Sequence, residues 1–219
     1  MIQAKSTPNH AGVILNGEYE ELKRLCEALE LVAGREGERP AYESIRVRVV
    51  DLCVRLREIL ANGGHGESGL GVKVYWPEAM FVSVALNRFV KLSYKNNRQA
   101  GWEQTVARIR KFQESLVDCL RRNLPDSAFK PTANALGSSA FLEENYLTQY
   151  LDELNAQFLA LDSEKRLQQL PLMAKRIVEQ GEEYRKCKHS VLEAAKRYKC
   201  PVEEIRLREE YPDPAKVVW

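Results

Sequence analysis

The chain has 219 residues, with 33 lysines and arginines against 31 aspartates and glutamates, so its net charge is only +2. A hydrophobic fraction of 44%, mixed with charges of both signs, is typical of a folded protein and excludes general disorder. The 12 glycines and 9 prolines follow no period, which excludes a collagen-like chain. The small net charge also argues against a wholly basic nucleic-acid-binding protein.

The first strands and helices follow from turn residues and apolar periodicity. Strands are predicted at residues 2–5, 13–16 and 72–76, and the Pro, Asn and Gly between the first two indicate a hairpin turn. Apolar residues at helical spacing predict helices over residues 18–33, 41–62, 77–92 and 102–123. The third of these helices has almost no polar face, so we expect it to be central and buried.

The second half of the chain is predicted to be helical. Residues 125–139 are expected to form a loop with at most one helical turn, and residues 140–161 a helix with a narrow, coiled-coil-like apolar seam. One or two helices, interrupted or started at Pro171, cover residues 164–199, and a short helix at 202–210 precedes an extended tail. Residues 1–125 then form an α+β core, and residues 126–219 a helical part packed on it.

The predicted fold is therefore α+β and predominantly α-helical, with a small N-terminal antiparallel sheet packed on a helical bundle. Residues 88–130 hold ten basic and four acidic residues, whereas residues 141–164 hold six acidic and no basic ones. The simplest account is that the helices at 102–123 and 140–161 lie side by side. If they lie apart, each is a candidate patch for a charged partner.

Several short segments resemble an uncharacterised family of bacterial proteins, a domain of unknown function. They include residues 7–13 (TPNHAGV), 17–22 (GEYEEL), 45–48 (IRVR) with Leu52-Cys53, and 76–82 (WPEAMFV) with Leu86-Asn87. The resemblance covers roughly residues 1–95. It implies a bacterial origin, but no activity, cofactor or site residue.

The sequence also indicates a cytoplasmic protein. The start of the chain lacks the apolar region of a signal peptide. The longest nearly uncharged apolar run, residues 79–86, is far shorter than the ~20 residues of a membrane helix. Five cysteines are odd in number and widely spaced, so no disulfide framework is indicated. Those at positions 26, 53 and 119 fall on apolar helix stripes, where cysteine acts as a small hydrophobe.

No candidate site has a complete motif. The glycine-rich residues 63–71 precede a strand and lack a following Lys-Ser/Thr, so a connector is favoured over a phosphate loop. Cys187, His189 and Cys200 would give three zinc ligands, but no fourth lies nearby and no metal site is predicted. His10 would reach a cleft near Glu78 for acid–base chemistry, although an exposed turn residue is the favoured interpretation of His10.

Residues 191–210 have the outline of a helix-turn-helix. The basic side chains that precede and accompany its first helix, Lys186, Lys196, Arg197 and Lys199, would contact nucleic acid. The turn lacks the expected glycine, and the second helix carries Glu203, Glu204, Glu209 and Glu210, which repel phosphate. An ordinary helical hairpin is therefore favoured.

We expect a non-enzymatic protein-interaction or regulatory module with no cofactor. The narrow seam at 140–161 and the apolar Val217-Val218-Trp219 would pack within the chain or against a second copy, so a homodimer is a reasonable expectation. A nucleic-acid-associated protein using residues 185–208 is the alternative, and an enzyme of unknown class comes third.

Overall fold

A computed structural model describes residues 2–62, 70–94, 101–138, 145–206 and 217–219. In these ranges the chain forms a three-stranded antiparallel sheet and eight α-helices. The strands are β1 (Gln3–Ser6), β2 (Gly12–Gly17) and β3 (Leu70–Tyr75). The helices are α1 (Tyr19–Ala33), α2 (Glu43–Asn62), α3 (Trp76–Tyr94), α4 (Trp102–Asn123), α5 (Asp126–Gly137), α6 (Gln149–Leu159), α7 (Ser163–Val178) and α8 (Glu182–Tyr198). The predicted α+β, predominantly helical fold is confirmed.

The sheet places one apolar face on the helices. Strand β2 is central and pairs antiparallel with both β1 and β3, with Ala4 opposite Leu15 and Val13 opposite Val74. These four side chains are fully buried, as expected when alternate residues of a strand point to the core. All three predicted strands are present. Trp76, predicted to end the third strand, instead begins α3.

Helix α3 is the centre of the molecule, as its sequence predicts. Every residue from 76 to 87 is buried, and the helix contacts α1, α2 and α4 as well as α5, α6 and α7. A continuous set of buried apolar side chains extends through these contacts from Ala4 to Val191. Helices α5, α6 and α7 therefore pack on the same central helix as the sheet and α1, and α8 packs on α6.

The prediction of a loop at 125–139 is wrong, because α5 occupies Asp126–Gly137. Pro131 lies inside this helix, although proline removes a backbone donor and normally ends a helix. Packing against α7 and α3 buries Thr132 and Leu136, and this burial offsets the free-energy cost of a proline inside the helix. The Thr132 hydroxyl also donates to the carbonyl of Ala128 at 2.7 Å.

The predicted helix at 140–161 is shorter than expected. Within the described residues it begins only at Gln149, and residues 139–144 lie outside the described ranges. Asn145 has a left-handed backbone, with φ of 59°, and its N–H donates to the carbonyl of Ala41 at 2.8 Å. The Ser44 hydroxyl donates to the Tyr146 carbonyl at 3.0 Å. These bonds hold the chain before α6 in a non-helical conformation against α2.

The boundaries near the C-terminus also differ from the prediction. Residues 164–199 do form two helices, but the break lies at residues 179–181, and Pro171 is inside α7. Residues 202–204 form one 3₁₀ turn and Ile205 is extended, whereas residues 207–216 lie outside the described ranges. A continuous helix from 202 is therefore wrong.

Within the described residues, the two helices of the oppositely charged segments, α4 and α6, do not pack side by side. Helix α4 packs on α1, β1, α3 and α5, whereas α6 packs on α3, α7 and α8. The acidic Asp152 of α6 instead pairs with Arg48 of α2 at 2.7 Å. In the described part of the chain, no helix has the length and apolar character needed to cross a membrane.

Candidate functional site

A groove of about 1090 Å³ lies between α2, α6, α8 and the 3₁₀ turn at residues 202–204. Helix α2 forms one wall with the face opposite its buried stripe. The groove residues of this wall recur every three or four positions: Ser44, Val47, Arg48, Asp51, Val54 and Arg55. Because that spacing keeps side chains on one face of a helix, a single helix supplies a continuous wall.

Two ion pairs fix this wall to its neighbours. The Arg48 guanidinium lies 2.7 Å from the Asp152 carboxylate on α6, and the Arg55 guanidinium lies 2.5 Å from the Glu78 carboxylate on α3. The two arginines are one heptad apart along α2. Each pair therefore joins α2 to a different helix, and together they hold the groove wall at two points.

The opposite rim is held by a side-chain amide. Gln149 Nε2 donates to the carbonyl oxygen of Val202 at 2.8 Å and to that of Ile205 at 3.2 Å. Gln149 is itself buried at the start of α6. These bonds fix the 3₁₀ turn and the residues after it relative to α6. Glu203 and Arg206 of this segment line the groove.

The groove also exposes aliphatic side chains to solvent. Val47 is 42% exposed, Val54 is 44% exposed, and Leu192 of α8 on the other side is 44% exposed. All three line the groove. Exposed aliphatic residues that share one concave surface, rather than being scattered singly, are typical of interaction sites.

Sequence periodicity did not predict this groove. Apolar residues at helical spacing predict a helix over residues 41–62 with one apolar stripe, and Arg48 and Arg55 lie on its other faces. The available signal was Val47 and Val54, two apolar residues one heptad apart and off that stripe. Only the tertiary fold shows that residues 40–55, 75–78 and 145–206 meet there.

The two proposed catalytic residues have separate partners within the described structure. His10 lies in the turn between β1 and β2 with a φ of 53°, and its Nδ1 is 2.9 Å from the Ser6 hydroxyl. Glu78 lines the groove and binds Arg55. Burial lowers the pKa of His10 below its ordinary value of 6.5, and the positive charge of Arg166 lowers it further.

The depressed pKa of His10 predicts a pH dependence of stability. The unfolded chain takes up a proton at this position near pH 6.5, whereas the folded chain does so only at lower pH. This contribution to stability is therefore complete above pH 6.5 and is lost as the pH falls through the folded pKa. We expect the fall in melting temperature from pH 7 to pH 5 to be smaller in His10→Asn, since asparagine tolerates the left-handed backbone. Equal falls in both proteins would contradict this assignment.

The three candidate zinc ligands are not brought together. Cys187 is buried against α6, where burial, with the nearby charge of Glu153, raises its pKa to about 12. The exposed His189 is 3.6 Å from Glu193 on the outer side of α8, and Cys200 follows the end of that helix. Among the described residues, the ligand atoms of these three side chains form no compact group.

The four basic residues proposed for nucleic-acid binding, Lys186, Lys196, Arg197 and Lys199, are exposed on α8 and at its C-terminal end. Lys186 forms an ion pair of 2.7 Å with Glu182. The second helix of the expected helix-turn-helix is a single 3₁₀ turn in the described residues, and Glu209 and Glu210 lie outside them. As far as residue 206, the structure therefore shows neither the second helix of a helix-turn-helix nor that of the favoured helical hairpin. His65 and most of the glycine-rich segment also lie outside the described residues.

A second concavity, of about 680 Å³, lies between α3, α4 and α5 and contains a polar network. Arg110 donates to the side-chain oxygens of Asn87 and Gln113 at 2.6 and 2.7 Å. Gln113 donates to the Ser83 carbonyl, and Asn87 donates to the Leu136 carbonyl. These bonds join the three helices, so the network has a structural role.

The fold and groove define an α+β protein with one large, mixed apolar and charged surface. Compared with known families, residues 2–219 match the family described as a domain of unknown function, DUF6904. The chain therefore belongs to that family, and the resemblance seen in residues 1–95 extends over nearly its whole length. No curated protein and no solved structure matches the chain.

Proposed function

We propose that this chain is a non-enzymatic protein-interaction or regulatory module of the bacterial cytoplasm. Its binding surface is the groove between α2, α6 and α8, and the ligand is an amphipathic helical segment of a protein partner. The observation that carries the proposal is the size of the groove, about 1090 Å³, combined with solvent-exposed aliphatic residues on both walls.

The groove is large enough for a peptide segment. Pockets for small molecules are typically about 300–1000 Å³. A volume of about 1090 Å³ lies just above that range. A groove open along one helix is the shape in which an amphipathic helix places its apolar face.

The spacing of the apolar residues suits a helical ligand. Val47 and Val54 are seven residues apart on α2, which corresponds to about 10 Å along the helix axis. A bound helix presents apolar anchors at positions i, i+3 or i+4, and i+7, over the same length. Leu192 faces this pair from the other wall.

The charges of the groove are balanced. Four basic residues line it (Arg48, Arg55, Lys188 and Arg206), and four acidic residues line it (Asp51, Glu78, Asp152 and Glu203). Nucleic-acid binding depends on an excess of positive charge, which this surface lacks. A partner helix with charges of both signs beside its apolar face is the matching ligand.

Substitutions on and off the groove test the proposal. The tagged protein is used to capture a partner, which is then purified so that binding is measured between two defined components. Leu192→Glu and Val54→Glu are each expected to weaken binding at least tenfold, because they place a carboxylate in the apolar contact. Leu31→Glu is the matched control, since Leu31 is 43% exposed on α1, outside the groove.

Equal binding by all four proteins would overturn the groove assignment. If the partner is a second copy of this chain, light scattering will show a dimer that Val54→Glu dissociates but Leu31→Glu does not. That outcome would support self-association through the groove.

The nucleic-acid alternative has one observation in its favour. Tyr198 is 64% exposed next to Lys196, Arg197 and Lys199, and exposed aromatic rings among cations stack on single-stranded bases. Reversal of these three charges to glutamate should abolish any affinity for single-stranded nucleic acid. Unchanged affinity, or none in the wild type, would exclude this alternative.

A further inference from the structure

Two cysteines and a glutamate meet where α1 packs against α2. Cys26 and Glu30 lie one turn apart on α1, and Cys53 faces them from α2. The two sulfur atoms and a Glu30 carboxylate oxygen all lie within 4.8 Å of one another. The distance from Cys26 Sγ to Glu30 Oε1 is 3.8 Å. Among the described residues, this group alone has three ligand atoms so close together.

The size of this group matches a tetrahedral zinc site. With Zn–S bonds of about 2.3 Å and Zn–O bonds of about 2.1 Å, tetrahedral ligand atoms lie about 3.6–3.8 Å apart. The observed separations require shifts of about 1 Å or less to reach that geometry. Side-chain rotation supplies such shifts without moving either helix.

We propose that Cys26, Cys53 and Glu30 bind one Zn²⁺ ion, with water as the fourth ligand. Thiolate and carboxylate ligands are both common for zinc, and three protein ligands leave one position open. The site is independent of the groove and of the proposed partner binding.

The surroundings support binding at this position. Arg57 lies 2.5 Å from the Glu30 carboxylate, so the carboxylate is oriented by a second residue, as metal-ligating groups usually are. Cys53 is fully buried, whereas the Glu30 side chain is 31% exposed. The group therefore has an apolar inner end and an outer end through which an ion and water can enter.

The charges and protons balance. In this structure both thiols donate hydrogen bonds to backbone carbonyls, Cys26 to that of Cys53 at 3.6 Å and Cys53 to that of Val49 at 3.5 Å. Binding breaks two S–H bonds and forms two Zn–S bonds and one Zn–O bond to Glu30; the hydrated ion keeps one water as its fourth ligand and releases its other waters, and two protons pass to solvent. Two thiolates and a carboxylate around Zn²⁺ leave one negative charge, which Arg57 offsets.

Calorimetric titration of the reduced, chelator-treated full chain with Zn²⁺ tests the proposal. We expect one ion per chain and the release of two protons, obtained from titrations in buffers of different ionisation enthalpy. The affinity should therefore rise with pH. Cys26→Ser and Cys53→Ser should each lose the binding, and Glu30→Gln should weaken it at least tenfold. Cys119→Ser, which removes another buried cysteine, on α4, should bind as the wild type does.

A second measurement uses only the wild-type protein and does not depend on the folding of variants. Cd²⁺ bound to two thiolates gives a ligand-to-metal absorption band in the ultraviolet and a ¹¹³Cd chemical shift that reports the number of sulfur ligands. Two sulfur ligands and one ion per chain support the site. No stoichiometric binding by the wild-type protein, or a single sulfur ligand, would overturn it.

Discussion

Replacement of Tyr184 with alanine is expected to lower the free energy of unfolding by about 3–5 kcal/mol, the range for truncating a buried aromatic side chain. Tyr184 is 1% exposed, and its ring stacks on Tyr146 with centroids 5.0 Å apart. It also meets the edge of Tyr150, and its hydroxyl oxygen accepts a hydrogen bond from the Leu147 N–H at 3.4 Å. The variant removes an aromatic contact that joins α8 to α6 and to the preceding loop. Chemical denaturation measures the loss.

Tyr198→Ala is the matched control for this experiment. Tyr198 is on the same helix but is 64% exposed, so its truncation should change stability by no more than about 0.5 kcal/mol. Similar losses in the two variants would contradict the packing of α8.

The Tyr184 variant also tests whether the chain is one cooperative unit. We propose that residues on both sides of position 125 unfold together, because Phe81 of α3 contacts Tyr146, which in turn stacks on Tyr184. A single transition at a lower midpoint is expected. Two separate transitions, with only the second half destabilised, would contradict it.

Replacement of Gly12 with alanine is expected to destabilise the protein by about 1–3 kcal/mol, the range for overpacking. Gly12 begins β2 opposite Tyr75 of β3. A methyl group at this position would lie 2.8 Å from the carbonyl carbon of Val74 and 3.0 Å from Tyr75 Cα. Because these are backbone atoms, the two strands would have to separate. Thermal and chemical unfolding measure the effect.

Gly137→Ala controls for the loss of glycine itself. Gly137 ends α5, and an added methyl group there meets no atom within 4 Å. This variant should be neutral or more stable by about 0.4–1 kcal/mol, because alanine restricts the unfolded chain. If Gly12→Ala is equally benign, the close approach of β2 and β3 is wrong.

The sequence predicted those elements whose local preferences agree with their packing. Turn residues mark the ends of the first two strands, and α1 to α4 each have an apolar stripe or, for α3, apolar residues on nearly all sides. Helix α5 was missed because Pro131 suggests a loop, whereas burial of Thr132 and Leu136 decides the structure. The last predicted helix is a single 3₁₀ turn as far as the structure describes it, because the carbonyls of Val202 and Ile205 accept hydrogen bonds from Gln149.

The candidate sites were harder to predict because they join distant parts of the chain. Cys26 and Cys53 fit their apolar stripes equally well as packing residues, and nothing in the spacing of 27 residues shows that they meet. Likewise, Arg48 and Arg55 have the pattern of solvated helix residues. Only the fold shows that Arg48 forms an ion pair with Asp152 and that Arg55 forms one with Glu78.

Photo-crosslinking in cells is the most direct test of the groove as a protein-binding surface. A photoreactive amino acid is placed at position 54, in the groove, or at position 31, on the exposed side of α1. We predict a crosslink to one defined protein from position 54 and none from position 31. The same product from both positions, or no protein crosslinked from position 54, would contradict the assignment.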